Sequence, residues 1–202
     1  MMLMLGILIG ALPMPDYENA LLAEAEERVD QLLAKGLVEE ADTFLVQFRT
    51  HVADDARLLY SQGLTQRLLG NAEQAKVHLE HSLQQDPSLA QAWYDLGEVQ
   101  ILLGQVSEAE GSFQKAARFS EDHPNGWAAP FRLAELAGER KNTAAFEGWL
   151  VEAMKRGFSF QQTVWGSEKW ANYLSDPELG DIMRRLITVH ENESILENWD
   201  LP

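Results

Sequence analysis

The sequence predicts an all-α fold: about four helix hairpins stacked as an α-solenoid, followed by C-terminal capping helices. Three observations lead there. Gly36, Gly70, Gly104 and Gly138 recur every 34 residues. The same step links Ala41, Ala75, Ala109 and Thr143, all small, and then Leu45, Leu79 and Phe113. Apolar residues between these markers fall at helical spacing. A lone hairpin cannot bury its own apolar face, so hairpins repeated at a fixed stride must stack on one another.

The elements divide into three stretches: an apolar N-terminal segment at 1–15, repeats over 16–157, and C-terminal helices with an acidic tail over 158–202. The first, MMLMLGILIGALPMP, carries no charged side chain before Asp16. It is too short to cross a bilayer as a helix. It has the length of a signal-peptide core, with small residues at Gly10 and Ala11 for cleavage, although no Lys or Arg precedes it. An exported protein, periplasmic or extracellular, is one expectation. A cytoplasmic protein whose apolar terminus packs on the first repeat is the other.

The repeats fall at about 22–55, 56–89, 90–123 and 124–157. The third is the clearest. Trp93, Leu96 and the run Val99 to Leu103 form an apolar helical face. Gly104 stops that helix, because a left-handed C-cap costs glycine little. Ser107 is expected to cap the next helix, with Glu110 three residues on completing a capping box. That helix buries Ala109, Phe113 and Ala116. Gly97 and Ala109 let the paired backbones approach, while Trp93 and Phe113 fill the space between hairpins. Asp86-Pro87 ends the second helix of the preceding repeat.

These residues resemble the tetratricopeptide repeat family. Trp93, Leu96, Gly97, Gly104, Ala109, Phe113 and Ala116 stand where that family has its signature, with Gln100 replacing the usual Tyr. The second repeat matches through Gly63, Gly70, Ala75, Leu79 and Pro87. The first keeps Gly36, Ala41, Leu45 and Phe48, with Val29 where Gly is usual. The resemblance implies a right-handed solenoid and a concave groove lined by first helices. The matching positions are Arg57, Tyr60, Leu64 and Arg67, then Gln91, Tyr94, Glu98 and Ile101, then Asn125, Ala128, Arg132 and Glu135. Tyr60 and Tyr94 are one repeat apart. The family's carboxylate clamp has Lys and Asn where this chain has Tyr60, Leu64, Tyr94 and Glu98, so chaperone C-terminal tails are not the implied ligand.

In the fourth repeat the proline expected near Glu121 is Pro124. A compensated shift accounts for this: a longer loop, Glu121 to Gly126, then a shorter first helix from near Trp127, with Gly138 still in register. Pro130 then sits in the first turn, where proline is tolerated. Phe146, Trp149, Leu150, Ala153 and Met154 make one face of the second helix, and Gly157-Phe158 closes the repeat. Beyond it, Ser175 or Asp176 is expected to cap a helix with Pro177 at its first position. Leu179, Ile182, Met183 and Leu186 form its apolar face. This resembles the Asp-Pro helix that ends some bacterial repeat proteins, and it is expected to cover the edge of the fourth hairpin.

Composition excludes several functions. The formal net charge of −16 and the scattered basic residues set the chain against nucleic acid and anionic membrane surfaces. With no cysteine there is no disulfide, no thiol chemistry and no zinc–cysteine site. His78 and His81 lack companion ligands at matching spacing and read as solvated, so no metal and no cofactor is expected. His51 with Asp54 and Asp55 reads as a junction loop rather than an acid–base pair. The tryptophans read mostly as core. The resulting expectation is a non-catalytic interaction module that binds a protein or peptide partner. The alternatives are a structural subunit using Trp165, Trp170 and the acidic tail, with Trp199 and Leu201 as docking residues, and an enzyme with an unrecognised site.

Overall fold

The computed structural model describes residues 14–50, 55–123, 125–164, 166–191 and 196, with side chains from residue 19 onward. Every regular element among them is a helix, and no strand occurs among the described residues. The apolar segment before Met14, the pair His51 and Asp54, and Pro124, Trp165, Trp199 and Leu201 lie outside the described residues. The chain divides into two units, residues 1–85 and 86–202.

The first unit holds α1 (Met14–Ala34), α2 (Val38–Phe48), α3 (Ala56–Leu68) and α4 (Ala72–Gln85). Its core joins Leu22, Ala25 and Val29 of α1 to Ala41 and Leu45 of α2 and Leu58 of α3. The α3–α4 hairpin closes on Gly63. A Cβ there would stand 2.6 Å from Leu79 Cγ, closer than real Cβ contacts come. Ser82 Oγ donates to the carbonyl of Ala56 at 2.6 Å, tying the far end of the hairpin.

The second unit holds α5 (Ala90–Leu102), α6 (Val106–Phe119), α7 (Ala128–Glu139), α8 (Thr143–Lys155), the short α9 (Phe160–Thr163), α10 (Glu168–Ser175) and α11 (Pro177–His190). Ala109, Phe113 and Ala116 of α6 pack with Ala129, Leu133 and Leu136 of α7. A second core gathers Phe146 and Leu150 of α8, then Phe158, Phe160, Trp170, Tyr173 and the apolar face of α11. The Asp-Pro helix forms as expected. The Asp176 carboxylate accepts from the backbone N–H groups of Glu178 and Leu179 at 3.0 and 3.1 Å, with Pro177 leading the helix. Such a cap satisfies donors that the helix itself leaves without acceptors.

Four sequence expectations are corrected. First, the fourth repeat is shifted without compensation. Second helices begin at Val38, Ala72, Val106 and Thr143, so the step is 34, 34 and then 37 residues. The hairpin turn follows it. Gly36, Gly70 and Gly104 have φ of +73°, +81° and +73°, but the fourth turn is made by Lys141 at +54°, while Gly138 stays helical. Each turn carries the same two hydrogen bonds; in the fourth, Lys141 N–H donates to Gly138 O and Asn142 N–H to Ala137 O. Phe146, Leu150 and Ala153, all fully buried, are therefore the counterparts of Ala109, Phe113 and Ala116. The extra residues sit between α6 and α7, and α7, with 12 residues against 13 in α3 and α5, gives up only one of its own.

Second, Ser107 is not a cap: α6 starts at Val106 behind Gln105, and no side chain caps it. Third, Trp93 fills the space only in part, packing against the α6–α7 core from outside. It is half-buried at the edge, with its indole N–H donating to Pro87 O at 2.8 Å and Lys115 Nζ lying 3.9 Å over its ring. Phe113 alone fills the contact with Gly97, whose added Cβ would meet ring atoms at 2.7 to 2.8 Å. Of the described tryptophans only Trp170 is fully buried. Fourth, His81 is exposed but His78 is half-buried rather than solvated.

Candidate functional site

The first-helix residues expected to form a groove lie on α3 in the first unit and on α5 and α7 in the second. On α3, Arg57, Tyr60, Leu64 and Arg67 are all half-buried. Arg57 is committed at the helix start. Its Nε lies 3.2 Å from Asp55, the helix cap, and 3.2 Å from Glu26 of α1. Burial raises the pKa of Glu26, and the Arg57 charge opposes the rise. Deeper on the helix, Gln66 donates to Asp42 at 2.7 Å and accepts from Asn71 at 2.8 Å.

On the second unit the expected residues meet. Arg132 on α7 donates through Nε to Glu98 Oε1 at 2.6 Å and through Nη2 to Oε2 at 3.2 Å, so it grips the carboxylate across two helices. Its Nη1 bonds Glu135, one turn along its own helix. The network continues: Lys169 of α10 reaches Glu135 at 3.1 Å and Glu139 at 2.7 Å. Beneath it stands Phe113, with the Tyr94 ring edge-on at 5.5 Å and the Arg132 guanidinium at 5.7 Å.

Electrostatics follow from this geometry. Burial works against the Arg132 charge, but the hydrogen bond and charge of Glu98, and then Glu135, outweigh it and raise its pKa. Lys169 is likewise raised: burial opposes, and its bonds to Glu139 and Glu135 prevail. Burial and the neighbouring Glu98 charge push the Tyr94 phenol up to about 12. No proton-transfer pair poised near neutral pH arises here; the arrangement orders charged side chains on a surface.

One expected residue sits elsewhere. Asn125 is in the α6–α7 loop, where its N–H donates to His123 Nδ1 at 3.2 Å. His123 in turn lies 3.5 Å from the Gln91 side chain. The cause is the 37-residue step. Counterparts of Gln91, Tyr94, Glu98 and Ile101 in the fourth hairpin are Ala128, Phe131, Glu135 and Gly138, so Arg132 enters the network from the neighbouring helical position. Sequence reasoning missed Phe131 and Lys169. The spacing Tyr94–Phe131 was the available signal for the first. For the second the signal was the 37-residue spacing Arg132–Lys169, continued by Leu133–Trp170 and Leu136–Tyr173.

Trp170, a contact residue only in the alternative reading of a structural subunit, is 1% exposed. It stacks on Phe131 with centroids 5.2 Å apart and planes 17° apart. Among the described residues, no group of three or more His, Asp or Glu side chains is placed to hold a metal, and no helix is long and apolar enough to cross a membrane.

Residues 67–130, from the end of α3 to the start of α7, match the tetratricopeptide repeat family. That match spans 64 of the 202 residues. Solved structures agree on the fold. YrrB, described as a tetratricopeptide repeat protein with an unusual peptide-binding site, shares 15% identity over 82% of this chain and 84% of its own, at a TM-score of 0.60. MamA shares 16% over 70% and 79%, at 0.58. A tetratricopeptide repeat protein from Parabacteroides merdae shares 16% over 89% and 71%, also at 0.58. No curated protein matches the chain. The match thus takes in α4, α5, α6 and the start of α7 directly, and the equivalence of buried positions carries the pattern through α8.

Proposed function

We propose that this chain is a non-catalytic tetratricopeptide repeat scaffold that binds a peptide or helix of a partner protein on its first-helix faces and so assists assembly of a complex. The observation that carries the reading is the α5–α7 face. Glu98, Arg132 and Glu135 come from two successive first helices and are held in one hydrogen-bonded array, with Tyr94 edge-on to Phe113 beside it. Tyr and Arg are the residue types that dominate recognition surfaces, and an array fixed before binding loses little entropy on binding. The peptide-binding site of YrrB, a protein of the same fold, supports the same use of these repeats. Tyr60, Leu64 and Arg67 offer a corresponding face on α3 of the first unit.

Peptide display against the immobilised chain tests this. Selected peptides should lose affinity for the Tyr94→Ala or Tyr60→Ala variant while each variant keeps its helical circular dichroism. Peptides that bind wild type and both variants equally sink the groove reading. The reading extends to export, supported by the uncharged apolar run over residues 1–15. N-terminal sequencing of protein recovered from native cell fractions checks it: an intact Met1 in the cytoplasmic fraction rules it out. The burial of Trp170 removes the main support for a subunit that docks through Trp165 and Trp170.

A further inference from the structure

The second helices of the second unit carry a groove that repeats. Between α6 and α8, Gln114, Ala117 and Arg118 line a space of about 490 Å³ together with Gly148, Trp149 and Glu152. Between α8 and α11, Val151, Met154 and Lys155 line about 370 Å³ together with His190 and Glu191. The residues from the earlier helix correspond one for one at the 37-residue step: Gln114 with Val151, Ala117 with Met154, and Arg118 with Lys155. Each groove thus has apolar side chains in its wall and a cation at the same place.

The acids in these walls are already engaged, and the matching cations are not. Glu152 accepts from Arg156 Nε at 2.8 Å, while Arg156 also donates to Ala117 O at 2.6 Å across the first groove. Glu191 accepts from the backbone N–H of Phe160 at 2.6 Å. Lys155 is exposed, with Glu152 no nearer than 3.9 Å. Arg118 is exposed and makes no hydrogen bond or ion pair among the described residues. In a chain of formal net charge −16, two open cations beside apolar walls call for an acidic, apolar occupant.

We infer that these grooves bind an acidic–aromatic strand, and that residues 197–202 of this chain supply it. Glu191 lines the second groove, and Leu196 packs on the core to which Trp149, Val151 and Met154 also belong. From there the sequence runs Leu196-Glu197, Asn198, Trp199-Asp200, an apolar–acidic pair given twice at a spacing of three residues. Three residues of extended chain cover about 10 Å, which matches the roughly 8–10 Å between packed helices and so the step from one groove to the next. Trp199 enters the α6–α8 groove beside Trp149, Asp200 meets Arg118, and Glu197 meets Lys155. This surface goes beyond the first-helix reading and shares no residue with it, so either can fail alone.

The chain has no cysteine, so engineered pairs report proximity without background. Gln114→Cys with Leu201→Cys puts one thiol in the first groove and one beside Trp199. Glu178→Cys with Leu201→Cys is the control, at the end of α11 away from His190 and Glu191. Mild oxidation of the dilute full chain, followed by peptide mass mapping, is expected to link the first pair within one chain and to leave the control pair free. Adding Trp199→Ala or Arg118→Glu should slow that linkage roughly tenfold, the factor expected when an apolar contact and its ion pair are lost. Circular dichroism checks that every variant remains folded. No linkage, equal linkage of both pairs, or a rate indifferent to Trp199 and Arg118 overturns the inference. Linkage only between chains means that a second copy's tail fills the grooves, which overturns the assignment within one chain.

Discussion

Gly97→Ala isolates the contact on which the third hairpin closes. The added Cβ would lie 2.7 Å from Phe113 Cε1 and 2.8 Å from Cδ1 and Cζ, where ordinary contacts begin near 3.4 Å. The ring must therefore withdraw by several tenths of an ångström. It has little freedom to do so: Phe113 is fully buried, with Tyr94 edge-on to one side and Arg132 on the other. Overpacking of this kind costs about 1–3 kcal/mol. Replacing a helical glycine by alanine returns about 0.5–1 kcal/mol. The net expectation is a loss of about 1–2 kcal/mol. The fourth hairpin supplies the control, since its counterparts of Gly97 and Phe113 are Ala134 and Leu150, both buried. Phe113→Leu alone should cost about 1 kcal/mol in lost burial. Combined with Gly97→Ala it recreates the Ala–Leu pairing, so the double variant should be more stable than the sum of the single losses by about 1 kcal/mol. Urea unfolding followed by helical circular dichroism measures all four proteins, with an unchanged slope confirming comparable transitions. A Gly97→Ala protein as stable as wild type, or strict additivity in the double variant, would refute the close-packing account.

Trp170→Ala should cost about 3–5 kcal/mol, as expected for a fully buried aromatic side chain, whereas half-exposed Trp93 should cost clearly less; urea titration ranks them, and the reverse order would contradict the burial seen here. Gly148→Ala should stabilise the chain by about 0.5–1 kcal/mol, because nothing lies within 4 Å of its Cβ position on α8, and a fall in thermal midpoint would count against that. The Tyr94 phenol ionises at about 12 when folded, against 10.0 ordinarily. Its contribution to stability is thus complete below pH 10 and is lost as pH rises towards 12. Chemical denaturation across that range should show a steeper decline for wild type than for Tyr94→Phe, and parallel declines would refute the assignment.

The hairpin architecture was legible because its signals are local. Gly36, Gly70 and Gly104 each make a left-handed turn that glycine adopts cheaply, and Asp176-Pro177 starts a helix by side-chain chemistry that adjacent residues reveal. The fourth repeat misled for an equally physical reason. Gly138 falls in the 34-residue register, but its lack of a side chain makes room for Tyr173 and Phe146 rather than for a turn. A glycine kept for close packing and a glycine kept for positive φ look alike in a sequence. Lys141, which does make the turn, gives no compositional sign of it. Phe146, Leu150 and Ala153 repeat the spacing of Ala109, Phe113 and Ala116, and that three-point pattern was the stronger guide to register. Lys169 and Trp170 follow Arg132 and Leu133 by the same 37 residues, a relation that shows only once the step of the fourth hairpin is known.

The features that set the fourth hairpin apart act together. Gly138 removes the side chain that would obstruct α10, and Phe131 presents a bare ring where the third hairpin presents a phenol. Glu135, 6% exposed, becomes tolerable in that setting only because Arg132 and Lys169 approach it from two helices. A buried carboxylate lacking those partners would be strongly destabilising. The charge array therefore depends on α10, while α10 depends on the glycine and the ring beneath it. One hairpin earlier the corresponding positions are covered by α7. There Ile101 replaces the glycine, Tyr94 retains a hydroxyl, and Glu98 is held by a single cation with part of its carboxylate side chain still open to water. The same repeat positions receive α7 in the third hairpin and α10 in the fourth, and the difference between them turns on a few side chains rather than on the backbone.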